Sequence, residues 1–403
     1  MKKKWFIYCL VIMAFNILCS SIGIRTDANE KKNDSQHALY REMAHLKKSL
    51  PENIARFQFE PKYDFPYPDA VRGIYVTGHS VGGSNFNHLI QLVENSDLNS
   101  MVIDVKDDWG NLTYTPDKNS PFSEISQNYI KDLDGLLKTL EDKKIYPIAR
   151  IVVFKDSVLA KKKPEWSFKE GDRVWENNGG ESFVNPFLKE VWDYNIEIAI
   201  DAAKRGFREI QFDYVRFPEG FERRDQDLIY QMGDYEQLET DNVQKRVKAV
   251  TDFVAYAREK LKPYGVKMSV DIFGYTATIP EAPGIGQNFM KISGNVDIIS
   301  SMIYPSHWTS YFGIAKPDLE PYKLVEEYIK VEKGKLEQLE HPPISRPWLQ
   351  DFTATWLGEG NYKSYGKKEI EDQIRALQNN GVYEFLLWNA SNIYTPNVDY
   401  TPQ

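Results

Sequence analysis

From residue 71 onward, short apolar segments alternate with longer segments of helical periodicity, and this alternation is typical of a parallel α/β fold. The apolar segments predict strands at 71–77, 101–106, 146–154, 209–216, 266–273, 296–304, 346–352 and 383–388. The segments between them predict helices at 85–94, 123–142, 186–205, 241–261, 285–292, 321–332 and 367–379. Eight strands with helices between them predict a (β/α)8 TIM-type barrel with long loops.

A doubly wound open sheet is the alternative for this alternation. That fold would want a glycine-rich phosphate turn after the first strand, and the segment 78–83 lacks the dinucleotide-binding spacing. The helical pattern after the last strand is weak, so we expect the C-terminal tail or the N-terminal segment to take the place of the eighth helix. The barrel remains the preferred interpretation.

The N-terminus has a pattern of its own. Three lysines at positions 2–4 precede an apolar run at 5–18, which is short for a membrane span, and small residues follow at 19–21. Residues 1–24 are therefore predicted to be a signal peptide, with an uncleaved N-terminal anchor as the alternative. Residues 25–69 are polar and charged and predict a tether, and residues 70–403 form the predicted barrel domain.

Composition narrows the chemistry. Cys9 and Cys19 are the only two cysteines and both lie in the leader, so the exported part has no thiol or disulfide chemistry. A net charge of -8 without a basic stripe argues against nucleic acid. The six histidines include no pair at ligand spacing, so we expect no metal and no cofactor. The expected location is secreted or on the extracellular face of the cell membrane, with a membrane tether through the N-terminus in the second case.

Two predicted strands carry a carboxylate opposite their apolar face, near their C-terminal ends. These residues are Asp213 and Asp271. In a parallel barrel the apolar face packs on the outer helices, so both carboxylates should point inward at the mouth, where such barrels keep their active sites. Neighbouring strands lie about 4.8 Å apart, and a carboxylate pair roughly 5–7 Å apart can hydrolyse a glycosidic bond. The alternative is two separate buried acids, each held by an ion pair.

Charged residues near this pair are candidates for substrate binding. Asp104 and Lys106 share the inward parity of the second strand, and the alternative for them is a salt bridge that fills the barrel floor. Arg150 and Arg216 are the cations expected at the mouth, where a guanidinium orients a carboxylate; the alternative is a structural ion pair. Asp104, Asp107 and Asp108 could also bind a hard cation, but strand parity separates Asp104 from Asp107 and no spaced Ca²⁺-binding loop follows, which does not favour a metal site.

Aromatic and amide side chains follow the last three predicted strands. Such groups suit a sugar, because rings stack on aromatic faces and hydroxyls pair with amides. The alternative for any one of the aromatic residues is core packing. The candidates are Tyr304, His307, Trp308, Trp348, Gln350, Trp388 and Asn389.

Six segments resemble the putative glycosyl hydrolase domain family of exported bacterial proteins: 71–75, 103–107, 211–218, 269–274, 302–307 and 387–390. The resemblance covers nearly the whole chain from residue 70 and implies a β/α barrel distantly similar to the alpha-amylase superfamily. In that superfamily the nucleophile is an Asp ending the fourth strand, which Asp213 matches. The acid ends the fifth strand, where this chain has Asp271 instead of a Glu.

The sequence thus predicts a secreted or surface-tethered glycoside hydrolase that acts on a poly- or oligosaccharide. Asp213 is the expected nucleophile or base and Asp271 the expected acid. A catalytically inactive barrel that binds cell-envelope or extracellular glycan is the first alternative. A structural envelope protein, with a shallow mouth lacking exposed aromatics, is the second.

Overall fold

The computed structural model describes residues 59–402, so the predicted leader and most of the predicted tether lie outside the described residues. Eight parallel strands form a ring: β1 (Arg72–Val76), β2 (Ser100–Lys106), β3 (Tyr146–Val152), β4 (Glu209–Asp213), β5 (Lys267–Phe273), β6 (Ile298–Met302), β7 (Trp348–Gln350) and β8 (Phe385–Trp388). Neighbours in this order pair with each other, and β1 also pairs with β8, which closes the barrel. The prediction of a (β/α)8 barrel is confirmed.

Helices surround the strands in chain order: α1 (Gly78–Gly82), α2 (Phe86–Glu94), α3 (Leu133–Asp142), α4 (Ser157–Lys162), α5 (Lys189–Arg205), α6 (Asn242–Leu261), α7 (Phe289–Ser293), α8 (Pro321–Leu336) and α9 (Lys367–Gln378). Helix α3 shows why they form, since Asp132 caps its N-terminus by accepting from the Gly135 amide. Leucines spaced three and four residues apart then bury one face. No helix within 59–402 is long and apolar enough to cross a membrane.

The structure differs from the predicted elements at two places. The helix predicted at 123–142 begins only at Leu133, because the residues before it form a strand, Ser126–Ile130. This strand pairs with Leu112–Tyr114, which in turn pairs antiparallel with the end of β2. The strand predicted at 346–352 is shortened to β7, and a separate short strand, Ile344–Ser345, precedes it. Pro347 lies at the break, where its lack of an N–H interrupts the ladder.

The C-terminal tail takes the place of the eighth helix. After β8 the tail binds the upper end of β1, where the Asn392 side chain accepts from the Thr77 amide at 2.9 Å and donates to the Tyr75 carbonyl at 2.9 Å. It continues to Tyr400, which is buried, and to Thr401 beside Asp97. An extended segment therefore covers the strands that a helix covers elsewhere in the ring.

The residues just before β1 pack against the barrel. Tyr63 and Phe65 are buried in the hydrophobic core, and the Tyr67 hydroxyl donates to Glu384 at 2.8 Å. The tether predicted at 25–69 therefore includes a last part that is anchored to the fold. At the adjacent barrel floor, Arg346 forms a fully buried ion pair with Glu209.

Candidate active site

Arg150 is the centre of the polar cluster inside the upper half of the barrel. It lies on β3, is 1% exposed, and its guanidinium forms salt bridges with three carboxylates. The distances are 2.7 Å to Asp104, 2.9 Å to Asp108 and 2.6 Å to Asp213. One buried cation thus compensates several carboxylates that burial alone would penalise.

Asp213 and Asp271 come together at the C-terminal ends of β4 and β5. Phe212 pairs with Val270, so the next residue of each strand, Asp213 and Asp271, follows in register. Neighbouring strands in a sheet lie about 4.8 Å apart. The residues are 5% and 2% exposed, so both carboxyl groups sit in a protected site that a substrate would close.

Asp271 lies in surroundings that favour its protonated form. Burial, and then the charge of Asp213, raise its pKa well above the ordinary range of an aspartic acid. The Trp348 indole opposes this effect by donating to Oδ1 at 2.8 Å, since a bond to the carboxylate favours the charged form. A carboxyl group with a raised pKa stays protonated to higher pH than an ordinary aspartic acid.

Asp213 is held from two sides. Arg150 donates to its Oδ2 from Nε at 3.0 Å and from Nη2 at 2.6 Å. The amide of Tyr214 donates to Oδ1 at 2.6 Å, and Tyr214 has a left-handed backbone with φ 52°. This conformation is uncommon for a residue with a side chain and concentrates at functional sites. Lys155 fixes the ring of Tyr214 by donating to its hydroxyl at 2.9 Å.

Asp104, on β2, is part of the same polar cluster around Arg150. Its Oδ1 accepts from Arg150, and its Oδ2 accepts from the Tyr75 hydroxyl at 2.5 Å. Burial raises the pKa of Asp104 to about 6, although Arg150 pulls it down. The Tyr75 ring stacks on Trp388 at 4.1 Å between centroids, so the polar cluster is bordered by an aromatic wall.

A comparison with known protein families identifies the family of the chain. Residues 73–394 match the putative glycosyl hydrolase domain family. The chain belongs to this family. No curated protein matches the sequence.

Solved structures show the fold that this glycosyl hydrolase domain shares. The glycoside hydrolase domain of PgaB (BpsB) from Bordetella bronchiseptica is similar with a TM-score of 0.56 and 16% identity, over 79% of this chain and 94% of that one. Alpha-L-fucosidase isoenzyme 2 from Paenibacillus thiaminolyticus has a TM-score of 0.52 and 14% identity, over 79% and 46%. A hypothetical protein from Ruminiclostridium thermocellum ATCC 27405 is 34% identical over 49% of this chain and 96% of that one, with a TM-score of 0.42.

Lys106 does not enter the barrel of this glycosyl hydrolase domain, so its predicted place at the site was wrong. The pairing of β2 with β3 shifts between Asp104 and Lys106, and this bulge reverses the parity on which the prediction depended. The ammonium group lies between the barrel and the helices, 2.6 Å from Asp156 and 3.0 Å from Asn195 Oδ1. Lys106 is therefore part of the packing outside the strands.

Two amides predicted to bind substrate are used by the fold. The Gln350 amide is buried, accepts from the Ser306 amide, and donates to Asp318 and the Phe352 carbonyl. The Asn389 side chain donates to the carbonyls of Asp351, just after β7, and of Ile393 in the tail, and it accepts from the Ser391 amide. Both amides hold loops near the mouth. The predicted sugar contact of the fully buried Gln350 was wrong, whereas that of the half-buried Asn389 stays a prediction.

The aromatic candidates divide into two groups. Trp348, Trp388 and Tyr304 lie together, with Trp388 5.5 Å from Trp348 and 6.4 Å from Tyr304 between ring centroids. Trp308 is half-buried and packs against Tyr328 of α8 at 5.8 Å between ring centroids, and its contact with a sugar stays a prediction.

His307 and Arg216 lie on loops at the mouth. The exposed His307 is 6.3 Å from Trp356 between centroids, and its Nδ1 is 3.0 Å from Ser306 Oγ. Arg216 is 6% exposed, pairs with Glu219, and lies over the Tyr214 ring at 4.6 Å. Both remain candidates for contact with a bound sugar.

Three residues at the site escaped the sequence reasoning. Tyr75 binds Asp104, whereas Asp108 and Lys155 form part of the ion-pair network around Arg150. Tyr75 was detectable, because it has the parity opposite to Ile74 and Val76 near the end of the first strand. Asp108 and Lys155 follow their strands in loops, where alternation gives no direction.

The charged groups of the site pair with one another, and none forms a cluster suited to a metal. Within residues 59–402, no three His, Cys, Asp or Glu side chains converge on a point that would hold an ion. Arg150 occupies the centre that a cation would need. A separate groove of about 400 Å³ lies on α6 and α7 and is lined by Thr240, Gln244, Lys248, Thr251, Asp252 and Lys291.

Proposed function

We propose that the protein is a glycoside hydrolase that cleaves a poly- or oligosaccharide through Asp271 and Asp213. The observation that carries this proposal is the pair of carboxyl groups in register at the mouth, in opposite environments. Burial and the charge of Asp213 raise the pKa of Asp271, whereas Asp213 forms a salt bridge with Arg150. A carboxyl group with a raised pKa suits the acid role in glycoside hydrolysis, and a neighbouring carboxylate held by an arginine suits the role of nucleophile or base.

In this mechanism Asp271 gives its proton to the glycosidic oxygen as the bond to the anomeric carbon breaks. Asp213 either attacks that carbon or takes a proton from the water that attacks it. If Asp213 attacks the carbon, a glycosyl ester forms, and water then breaks that ester, frees the Asp213 carboxylate and gives its proton to Asp271. If Asp213 instead activates the water, it takes the proton, and exchange with solvent restores the carboxylate of Asp213 and the acid form of Asp271. Trp348 holds the acid, and Arg150 orients the carboxylate of Asp213.

A second candidate is a catalytically inactive barrel that binds glycan, and one observation favours it. Both oxygens of Asp213 already accept hydrogen bonds, two on Oδ2 from Arg150 and one on Oδ1 from the Tyr214 amide. A carboxylate held this firmly has less freedom to attack or to accept a proton. Oδ1 nevertheless keeps a lone pair for a substrate, because a carboxylate offers about four acceptor sites.

The direct test is hydrolysis of a glycan panel by the full chain and by two variants, Asp271→Asn and Asp213→Asn. The panel consists of peptidoglycan, pullulan, hydroxyethyl cellulose and glycol chitosan, and the measurement is the release of reducing ends. Asp351→Asn is the matched control, because Asp351 is also a buried carboxyl group but binds Thr395 of the tail. We expect both site variants to lose at least about a hundredfold in rate, with circular dichroism unchanged.

The outcomes separate the two candidates. Hydrolysis by the wild type and the control, but not by the site variants, would establish the enzyme and its two carboxyl groups. Binding of a glycan without product from any of the four polymers would favour the inactive barrel. Equal rates in all variants would show that other residues carry the chemistry.

The location follows from the leader rather than from the barrel. The lysines, apolar run and small residues of segment 1–24 support export, to the medium or to the extracellular face of the membrane. The mass of the N-terminal peptide recovered from medium and membrane fractions tests this. Loss of the first residues in the medium would support cleavage, the intact leader in the membrane would support a tether, and protein confined to the cytoplasm would contradict export.

A further inference from the structure

Six large hydrophobic side chains are exposed within residues 59–402, and five of them lie at one end of the barrel. The six are Trp109, Ile229, Tyr275, Trp356, Tyr383 and Ile393. All but Tyr383 belong to loops that follow the C-terminal ends of strands, the end where Asp213 and Asp271 lie. Exposure of large apolar side chains to water is unfavourable, so a concentration of them around a candidate site indicates a ligand-binding surface.

One continuous row of aromatic rings leads from the proposed acid to the surface. Trp348, which binds the acid, touches Trp388 at 5.5 Å between centroids, and Trp388 lies 6.4 Å from Tyr304. Phe352 follows at 6.0 Å from Tyr304. Trp356 then stacks on Phe352 at 5.8 Å with an interplanar angle of 24° and is 64% exposed. The outer end of the row is thus a supported, solvent-facing indole.

A second row leaves the site in another direction, over the loops after β4 and β5. It starts at Tyr214, next to Asp213 in the chain. The Arg216 guanidinium lies over the rings of Tyr214 and Phe273, at 4.6 and 4.7 Å. Tyr275 stacks on Phe273 at 5.8 Å with an interplanar angle of 26° and is 39% exposed. This row also ends in an exposed ring supported from beneath.

We propose that the substrate is a polysaccharide chain that crosses the mouth and rests on both outer rings. One sugar stacks on Trp356, another stacks on Tyr275, and the bond to be cleaved lies between them at the two carboxyl groups. A pyranose presents an apolar C–H face, which matches an aromatic ring in shape and hydration. The inference rests on the proposed function and adds that cleavage takes place inside the chain, because sugars are bound on both sides of the site.

The binding test uses affinity electrophoresis of the full chain in gels that contain pullulan, hydroxyethyl cellulose or glycol chitosan. All proteins carry Asp271→Asn, so that the polymer is not consumed. Trp356→Ala and Tyr275→Ala should each weaken retardation about tenfold, the effect expected for an exposed aromatic anchor. Tyr383→Ala is the matched control, since it is an aromatic residue of similar exposure (47%) that precedes β8 at the opposite end of the barrel.

Cleavage by the chain with Asp271 intact separates this inference from the proposed function. Both proposals are supported if the wild type releases medium-length fragments, if Trp356→Ala and Tyr275→Ala cleave the polymer more slowly, and if Tyr383→Ala cleaves it at the wild-type rate. Retardation that depends on Trp356 and Tyr275, without cleavage of the polymer, supports the binding surface and contradicts the hydrolase proposal. Cleavage at equal rates in all variants would support the hydrolase and overturn the role of Trp356 and Tyr275 as sugar-binding rings. Absence of retardation on all three polymers would also overturn that role.

Discussion

At the scale of single residues, the indole of Trp348 weakens the hold of Asp271 on its proton, against the larger effect of burial. Its Nε1–H donates to Oδ1 of Asp271 at 2.8 Å and favours the charged carboxylate. Trp348→Phe removes this donor and keeps most of the ring, so the pKa of Asp271 should rise further. An acid works only while protonated, and activity falls as pH increases through its pKa. We expect the alkaline limb of the pH–rate profile to move to higher pH.

Trp388→Phe is the control for this prediction, because Trp388 lies in the same aromatic wall and does not bind Asp271. It should change the Michaelis constant while leaving the alkaline limb in place. A limb that stays fixed in Trp348→Phe, or moves equally in both variants, would remove Asp271 from the role of acid.

At the scale of elements, strand alternation predicted the barrel and the positions of Asp213 and Asp271, because a period of two fixes which side chains face inward. It failed where the ladder is irregular. The bulge in β2 turned Lys106 outward, and nothing in the local pattern signals it. The amide of Gln350 was misassigned for another reason: its partners, Ser306 and Asp318, come from a distant loop. Local periodicity carries no information about such tertiary contacts.

The bulge leads to a prediction for β2. Lys106 is fully buried and pairs with the equally buried Asp156. Lys106→Met leaves the Asp156 charge without its partner, which should lower the free energy of unfolding by about 3–5 kcal/mol. Lys106→Met with Asp156→Asn should recover part of this loss, because no unpaired charge remains. Chemical denaturation measures both.

Activity provides the contrast for the same variants. Lys106 lies outside the barrel, so the folded Lys106→Met protein should keep the Michaelis constant of the wild type. An increase in that constant without loss of stability would instead place Lys106 at the sugar.

At the scale of the whole molecule, the barrel floor makes stability depend on pH. Burial raises the pKa of Glu384 from 4.5 to about 7, although Arg346 opposes the rise. The folded state therefore binds this proton more tightly than the unfolded chain, and the stability it gives is present at low pH and lost as pH rises toward 7. For Glu384→Gln, this loss, about 3 kcal/mol, should be absent.

Urea unfolding at pH 4.5, 6 and 8 gives the free energy of unfolding at each pH. The comparison is between its pH dependence in the wild type and in Glu384→Gln. Glu340→Gln is the control, because the Glu340 side chain is 91% exposed, and it should follow the wild type at each pH. Parallel curves for all three proteins would show that another group carries the pH dependence of the floor.

The closure of the barrel also depends on the tail, because β1 ends with backbone groups that no strand satisfies. The Asn392 side chain binds the Tyr75 carbonyl and the Thr77 amide, and its backbone is left-handed with φ 52°. Asn397 has a similar φ of 60° but is exposed. Alanine at either position adds backbone strain, whereas only Asn392→Ala also removes the partner of the half-buried Thr77 amide and one of the two donors to the Tyr75 carbonyl, which keeps the Tyr394 hydroxyl. Asn392→Ala should therefore lower the free energy of unfolding by about 1–3 kcal/mol more than Asn397→Ala. Equal losses in denaturation would mean that the tail covers the barrel without holding β1 in place.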